Sequence, residues 1–138
     1  MTRVLVFGAF DGLHKGHESF LRQAGNLGDF LVVSLAKDEV IQRLKGREPS
    51  NHFDKRRQAL EDLGIVDEVL PGDISTSEYS MFVNNSIDIV AFGYDQKELK
   101  ADLEQWLSDH NQKITLVTLK AFKPEKYKST ILRGLTQE

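Results

Sequence analysis

Five short apolar, β-rich runs divide this chain, and the stretches between them carry apolar residues at helical spacing. The runs are Val4-Leu5-Val6-Phe7, Phe30 to Leu35, Ile65 to Leu70, Ile87 to Phe92 and Ile114 to Leu119. Each has the length of a strand, and their near-continuous hydrophobicity suits a sheet covered on both faces. Gly8 ends the first run and Pro71-Gly72 closes the third. Phe20, Leu21, Ala24 and Leu27 trace the first helix, with Gly28 as its stop. Asp38 to Leu44 makes a second, before the basic turn Lys45-Gly46-Arg47. Phe53, Ala59, Leu60 and Leu63 make a third, with Ser50 or Asn51 as cap and Gly64 beyond it. Further helices are expected around Tyr79, Phe82 and Val83, from Leu99 to His110, and in a short final segment near Ser129. Strands that alternate with helices imply crossovers and a mostly parallel sheet. The expected fold class is therefore α/β: a single Rossmann-like domain spanning 1–138, with a five-stranded parallel sheet and helices on both faces. Such sheets bind ligands beyond the C-terminal strand ends, where the strand order switches. That directs attention to the loops after Phe7, Leu35, Phe92 and Leu119.

Composition narrows the function. A chain of 138 residues, 40% hydrophobic and 28% charged, has the balance of a soluble globular domain. With 21 acidic against 18 basic residues and a net charge of −3, it is not suited to coating nucleic acid. No apolar stretch approaches the ~20 residues of a membrane helix, and the N-terminus has no secretory pattern. The absence of cysteine excludes disulfides, thiolate metal sites and cysteine catalysis. A cytoplasmic protein with no nucleic-acid or membrane partner is the expectation.

The loop after the first strand reads Phe7-Gly8-Ala9-Phe10-Asp11-Gly12-Leu13-His14-Lys15-Gly16-His17. Its glycines are evenly spaced by four, unlike the dinucleotide fingerprint, and no Gly-Lys-Ser/Thr triplet follows. What remains is a glycine-rich strand-to-helix turn with two histidines three residues apart, on one face of a first helical turn. A helix start offers unpaired amides and partial positive charge to a phosphate, and Gly16 lets an anion approach the backbone. Two imidazole donors beside those amides could hold charge on a phosphorus atom during displacement. A metal site is the weaker reading, because Asp11 is the only carboxylate in the loop; no metal ligand is assigned.

Gly8-x-Phe10-Asp11-x-x-His14-x-Gly16-His17 resembles the signature of the cytidylyltransferase-like nucleotidyltransferases. That superfamily includes glycerol-3-phosphate and phosphoethanolamine cytidylyltransferases, pantetheine-phosphate adenylyltransferase and archaeal-type FAD synthase. Gly93-Tyr94-Asp95 is similar to the family's nucleoside-contacting loop, and Ser129-Thr130-x-x-Arg133 to its final phosphate-gripping element. The resemblance covers essentially the whole chain. It implies attack by a substrate phosphate on the α-phosphorus of a nucleoside triphosphate, with pyrophosphate released and Mg²⁺ accompanying the nucleotide. Such a reaction rests on positioning and charge neutralisation.

By the same resemblance, His14 and His17 stabilise the pentavalent α-phosphorus. Lys45 joins them as a catalytic residue and, with Arg47 and Arg56, forms the acceptor-phosphate site, Arg56 orienting the region. Phe7, Gly8, Ala9, Phe10, Asp11 and Gly16 form the nucleotide-binding floor, where Ala9 replaces the family's usual threonine. Gly93, Tyr94 and Asp95 meet the nucleoside, while Ser129, Thr130 and Arg133 grip the leaving pyrophosphate. Lys120, Lys123, Lys126, Lys128 and Arg133 add cations suited to a triphosphate. Lys45-Gly46-Arg47-x-Pro49 and Gly93-Tyr94-Asp95-Gln96 are most similar to archaeal-type FAD synthase, which implies ATP and FMN as substrates. Phe10, Phe53, Tyr79, Phe82, Tyr94 and Phe122 are candidates for an aromatic wall against the flavin. The alternative is a cytidylyltransferase using CTP and glycerol 3-phosphate or a related small alcohol phosphate. A catalytically silent nucleotide-binding module is a third reading, and the intact histidine pair argues against it. The resemblance further implies a homodimer, joined near Val66 to Val69.

Overall fold

Alternate residues of a strand face opposite ways, and in β1 (Arg3–Gly8) both directions are apolar: Val4, Leu5 and Val6 are all fully buried. The strand therefore needs cover on two sides. The computed structural model describes residues 1–74 and 78–121. After β1 come α1 (Lys15–Gly25), β2 (Phe30–Leu35), α2 (Asp38–Lys45), α3 (Phe53–Asp62) and β3 (Glu68–Pro71). They are followed by α4 (Met81–Asn84), β4 (Ile89–Phe92), α5 (Lys97–Asp109) and β5 (Thr115–Thr118). The strands pair in parallel in the order β3-β2-β1-β4-β5. On one face Val4, Val6, Leu31 and Val33 pack with Leu21 and Ala24 of α1 and Leu60 of α3. On the other, Leu5, Val32, Val90 and Phe92 pack with Phe82 of α4 and Leu103 and Leu107 of α5.

The expected architecture holds, with shifted boundaries. Ile65 and Val66 pack against the core but precede the ladder, which starts at Glu68 opposite Val32. Tyr79 is buried with a left-handed φ of 45°, so it stands before α4 and not within it. The N-cap position of the third helix is His52, which makes no side-chain cap bond, rather than Ser50 or Asn51. The segment near Ser129 lies outside the described residues.

The chain winds outward from β1 through β2 to β3, then returns so that β4 flanks β1 on its other side. The strand order therefore reverses between β1 and β4. Along β2 the β1 ladder runs the full strand, to Gly8 opposite Leu35. Along β4 it runs only from Val4 to Leu5, opposite Ile89 and Val90. Beyond that point the two strands part, and a crevice opens between their C-terminal ends.

Candidate active site

A cleft of about 890 Å³ occupies this crevice, lined by the β1–α1 loop, His14 to His17, Lys45, the Gly93 to Gln96 loop and Lys120-Ala121. His14 is the N-cap of α1, in extended conformation. Its Nδ1 accepts the backbone N–H of Gly16 at 3.0 Å and of His17 at 3.4 Å. The Nδ1 of His17 in turn accepts the backbone N–H of His14 at 3.3 Å. The pair thus forms a reciprocal capping box of two imidazoles, in place of the usual hydroxyl and carboxylate. Since each Nδ1 accepts, the proton of each neutral ring sits on Nε2. Both rings then present an N–H donor on the edge turned away from the helix.

The rings stack at 3.8 Å between centroids, 24° from parallel. Burial of the His17 ring lowers its pKa, the neighbouring His14 lowers it further, and the carboxylate of Asp95 opposes them without prevailing. His17 is accordingly neutral at pH 7. Phe10, 5% exposed, supports it edge-on at 5.4 Å and lies against Phe20 in turn. Two glycines make this stack possible. A Cβ on Gly16 would sit 2.9 Å from the His14 ring, and one on Gly8 only 2.6 Å from the Phe10 ring. From the sequence, Gly16 was expected to let an anion approach the unpaired amides of the helix start. Here the amides of Gly16 and His17 are bound to His14, and the glycine makes room for that ring.

Two ties hold the flanks of the cleft. On the β2 side, Asp11 accepts the backbone N–H groups of Ser50 at 2.7 Å and Asn51 at 2.9 Å. Desolvation pushes its carboxyl upward, but those hydrogen bonds and the charge of Arg56 outweigh it and hold the pKa below the usual value. Arg56 is 1% exposed. It donates to the carbonyls of Asn51, Ala9 and Ala36 and forms a 2.6 Å ion pair with Asp38. On the β4 side, Gln96 accepts the Gly93 N–H at 2.9 Å and donates to the Phe7 carbonyl at 3.0 Å.

A family model described as cytidylyltransferase-like matches residues 5–135. The chain belongs to the cytidylyltransferase-like family. It is 44% identical over 108 residues to the FAD synthase of Thermococcus onnurineus, covering 78% of this chain and 72% of that one. With the FAD synthase of Thermococcus sibiricus it shares 36% identity over 131 residues, 95% of this chain and 86% of that one. Among solved structures it resembles a lipopolysaccharide core biosynthesis protein from Thermoplasma volcanium, with a TM-score of 0.79 and 30% identity. That match covers 88% of this chain and 98% of the other. Like other members of this cytidylyltransferase-like family, the chain is a nucleotidyltransferase enzyme.

As a family member, it gathers most of the expected site residues in one place. Phe7, Gly8, Ala9, Phe10, Asp11, His14, Gly16, His17, Lys45, Gly93, Tyr94 and Asp95 all line the cleft. Arg47 does not; it is exposed and follows Gly46, the left-handed C-cap of α2. Arg56 is buried and does not line the cleft; its guanidinium serves three carbonyls and Asp38. Of the aromatic-wall candidates, Tyr79, Phe82 and Phe10 belong to the core and Phe53 packs against it. Tyr94, 62% exposed on the cleft rim, is left as a wall residue among those described. Ser129, Thr130, Arg133 and Phe122 lie outside the described residues. Lys15 also lines the cleft and was not anticipated; its place between the two histidines was the available signal.

Proposed function

We propose that this nucleotidyltransferase is an FMN adenylyltransferase, joining ATP and FMN to give FAD and pyrophosphate. The observation that carries the reading is the reciprocal histidine cap, which leaves two aligned Nε2–H donors in the switch-point cleft. The relatives named FAD synthase supply the substrates. A phosphate oxygen of FMN attacks the α-phosphorus of ATP. As the new P–O bond forms, the bond from the α-phosphorus to the bridging oxygen breaks, and pyrophosphate leaves with its electron pair. Charge accumulates on the non-bridging oxygens, where His14 and His17 donate. Removing one preorganised donor of this kind costs about 2.7–4 kcal/mol of transition-state stabilisation. Lys45, at the end of α2 on the β2 side, holds the acceptor phosphate. Tyr94 and Asp95, on the β4 side, meet the nucleoside, and Ser129, Thr130 and Arg133 take the departing pyrophosphate.

Mg²⁺ enters this reading on the triphosphate. Among the described residues no group of three or more His, Asp or Glu is placed to hold a metal, so the cation's ligands would come from nucleotide oxygens, with Asp95 the carboxylate on that side of the cleft. When bound it supplies neutralisation of phosphate charge. A cytoplasmic setting belongs to the same reading; among the described residues no helix is long and apolar enough to cross a membrane. So does a homodimer along β3, which closes one edge of the sheet with β2 as its partner; sedimentation at twice the monomer mass checks it.

The deciding experiment crosses ATP and CTP with FMN, glycerol 3-phosphate, phosphoethanolamine, phosphocholine and phosphopantetheine and follows pyrophosphate. Release with ATP and FMN alone is expected. Release confined to CTP overturns the adenylyltransferase reading in favour of a cytidylyltransferase.

A further inference from the structure

We propose that Gln96 is a positioning residue that sets the width of the catalytic crevice and so places the nucleoside-side loop for nucleotide binding. The β1–β4 ladder stops at Leu5 and Val90, although β1 continues to Gly8 and β4 to Phe92. Where the backbone pairing ends, the Gln96 side chain takes over. Its Nε2–H donates to the Phe7 carbonyl, 89 residues away in sequence, while its Oε1 accepts from Gly93. The backbone is committed as well: the Gln96 N–H donates to the Gly93 carbonyl at 3.1 Å, and its own carbonyl accepts the Lys100 N–H at 3.0 Å. One residue thereby closes the turn that carries Tyr94 and Asp95, starts α5 and pins both to the strand beneath the histidines.

The chemistry requires a primary amide. One side chain must accept from one strand's loop and donate to the other strand. Glutamate offers no donor when ionised and would turn a carboxylate toward the Phe7 carbonyl. Methionine matches the length and makes neither bond. Asparagine is a methylene too short to span the same gap. Because the bridge is neutral and lies at the rim of the sheet, its loss leaves the hydrophobic layers intact and releases only the loop.

The test measures equilibrium binding of ATP, or of CTP if that is what the wild type binds, by calorimetry without acceptor, in Gln96→Met and Gln96→Glu. Steady-state kinetics and thermal melts accompany it. We expect the nucleotide Kd and KM to rise about tenfold or more in both variants, with the acceptor KM changed less than twofold and a cooperative melt retained. The kinetic arm rests on the FMN reading. The binding arm does not, so a wild type that binds nucleotide but fails to transfer to FMN sinks that reading and leaves this test intact. Nucleotide Kd within twofold of wild type in Gln96→Met overturns the proposal. An equal rise in both substrate KM values also overturns it. Loss of folding in both variants does so too, since the bridge would then be a stabilising contact for the whole sheet.

Discussion

On its β2 side the cleft is tied with charge, through the buried guanidinium of Arg56, the carboxylate of Asp38 and the clasp of Asp11 on residues 50 and 51. On its β4 side the tie is one neutral amide, Gln96. A buried cation is tolerated only when its donors are matched, and once matched it is costly to disturb. Arg56 joins the end of β2, the β1–α1 loop and the start of α3 in a single residue. The β2 side is therefore a frame on which the histidine stack is built. Beyond the short β1–β4 ladder, the β4 side is tied to β1 through the one side chain of Gln96. If the Gln96 proposal holds, stability and nucleotide binding are held by different residues on opposite flanks.

The largest expected effect is on the frame. Arg56→Met should remove about 3–5 kcal/mol of stability, by leaving buried carbonyls and Asp38 without their partner. For a domain of this size that lowers Tm by roughly 10 °C or more. A melt within a few degrees of wild type would show the two flanks to be equivalent. Next come the histidines: His14→Ala and His17→Ala should each lower turnover on the order of a hundredfold with only a modest change in Tm. Near-normal turnover with chemistry rate-limiting would remove them from the reaction. Gly16→Ala should act more weakly and in a telling direction. Alanine favours a helix over glycine by about 0.5–1 kcal/mol, which offsets the cap lost when the His14 ring is displaced, so Tm should change little. Its Cβ, however, meets the His14 ring at 2.9 Å, and the displaced ring should cost roughly tenfold in turnover. Equal activity would mean that the rings need not be held in this stack.

The contrast between flanks also explains what could be read in advance. Apolar runs reveal burial, and so all five strands were legible; they do not reveal pairing, which is why Ile65 and Val66 looked like strand while lying before the ladder. The histidine pair was visible because its members are three residues apart. Its use as a mutual cap was not, since nothing in the spacing says which ring nitrogen faces the backbone. The ties are harder still. Arg56 was expected at the acceptor phosphate and to orient the region, but only tertiary structure brings the Ala9 and Ala36 carbonyls to it. Ser50 and Asn51 look like caps for α3, but the helix starts after His52 and their amides bind Asp11, 39 and 40 residues distant. Gln96 carried a family likeness but no hint that it reaches Phe7.

Acid should act on the histidine stack and on the β2-side frame in sequence, and this is the subtlest test. His17 has a folded pKa below its ordinary 6.5 because its ring is buried and His14 stands beside it. The unfolded chain therefore takes up the proton first as pH falls through 6.5. His17's contribution to stability is complete above that value and declines until the folded pKa is reached. Protonation would place a proton on Nδ1, the atom that accepts the His14 amide, so the acid limb of kcat/KM should lie below pH 6.5. Asp38 responds at a different pH: desolvation raises its pKa, but its bonds to Arg56 and His52 and their charges lower it below 3.8 overall. Its share of stability is complete above pH 3.8 and is lost as pH falls from there through the depressed value. Turnover should thus fail first, while the melt shifts only slightly, and the frame should give way in a second, more acidic step. A single acid transition in which activity and Tm fall together would mean that the histidine stack and the Arg56–Asp38 frame do not respond to acid independently.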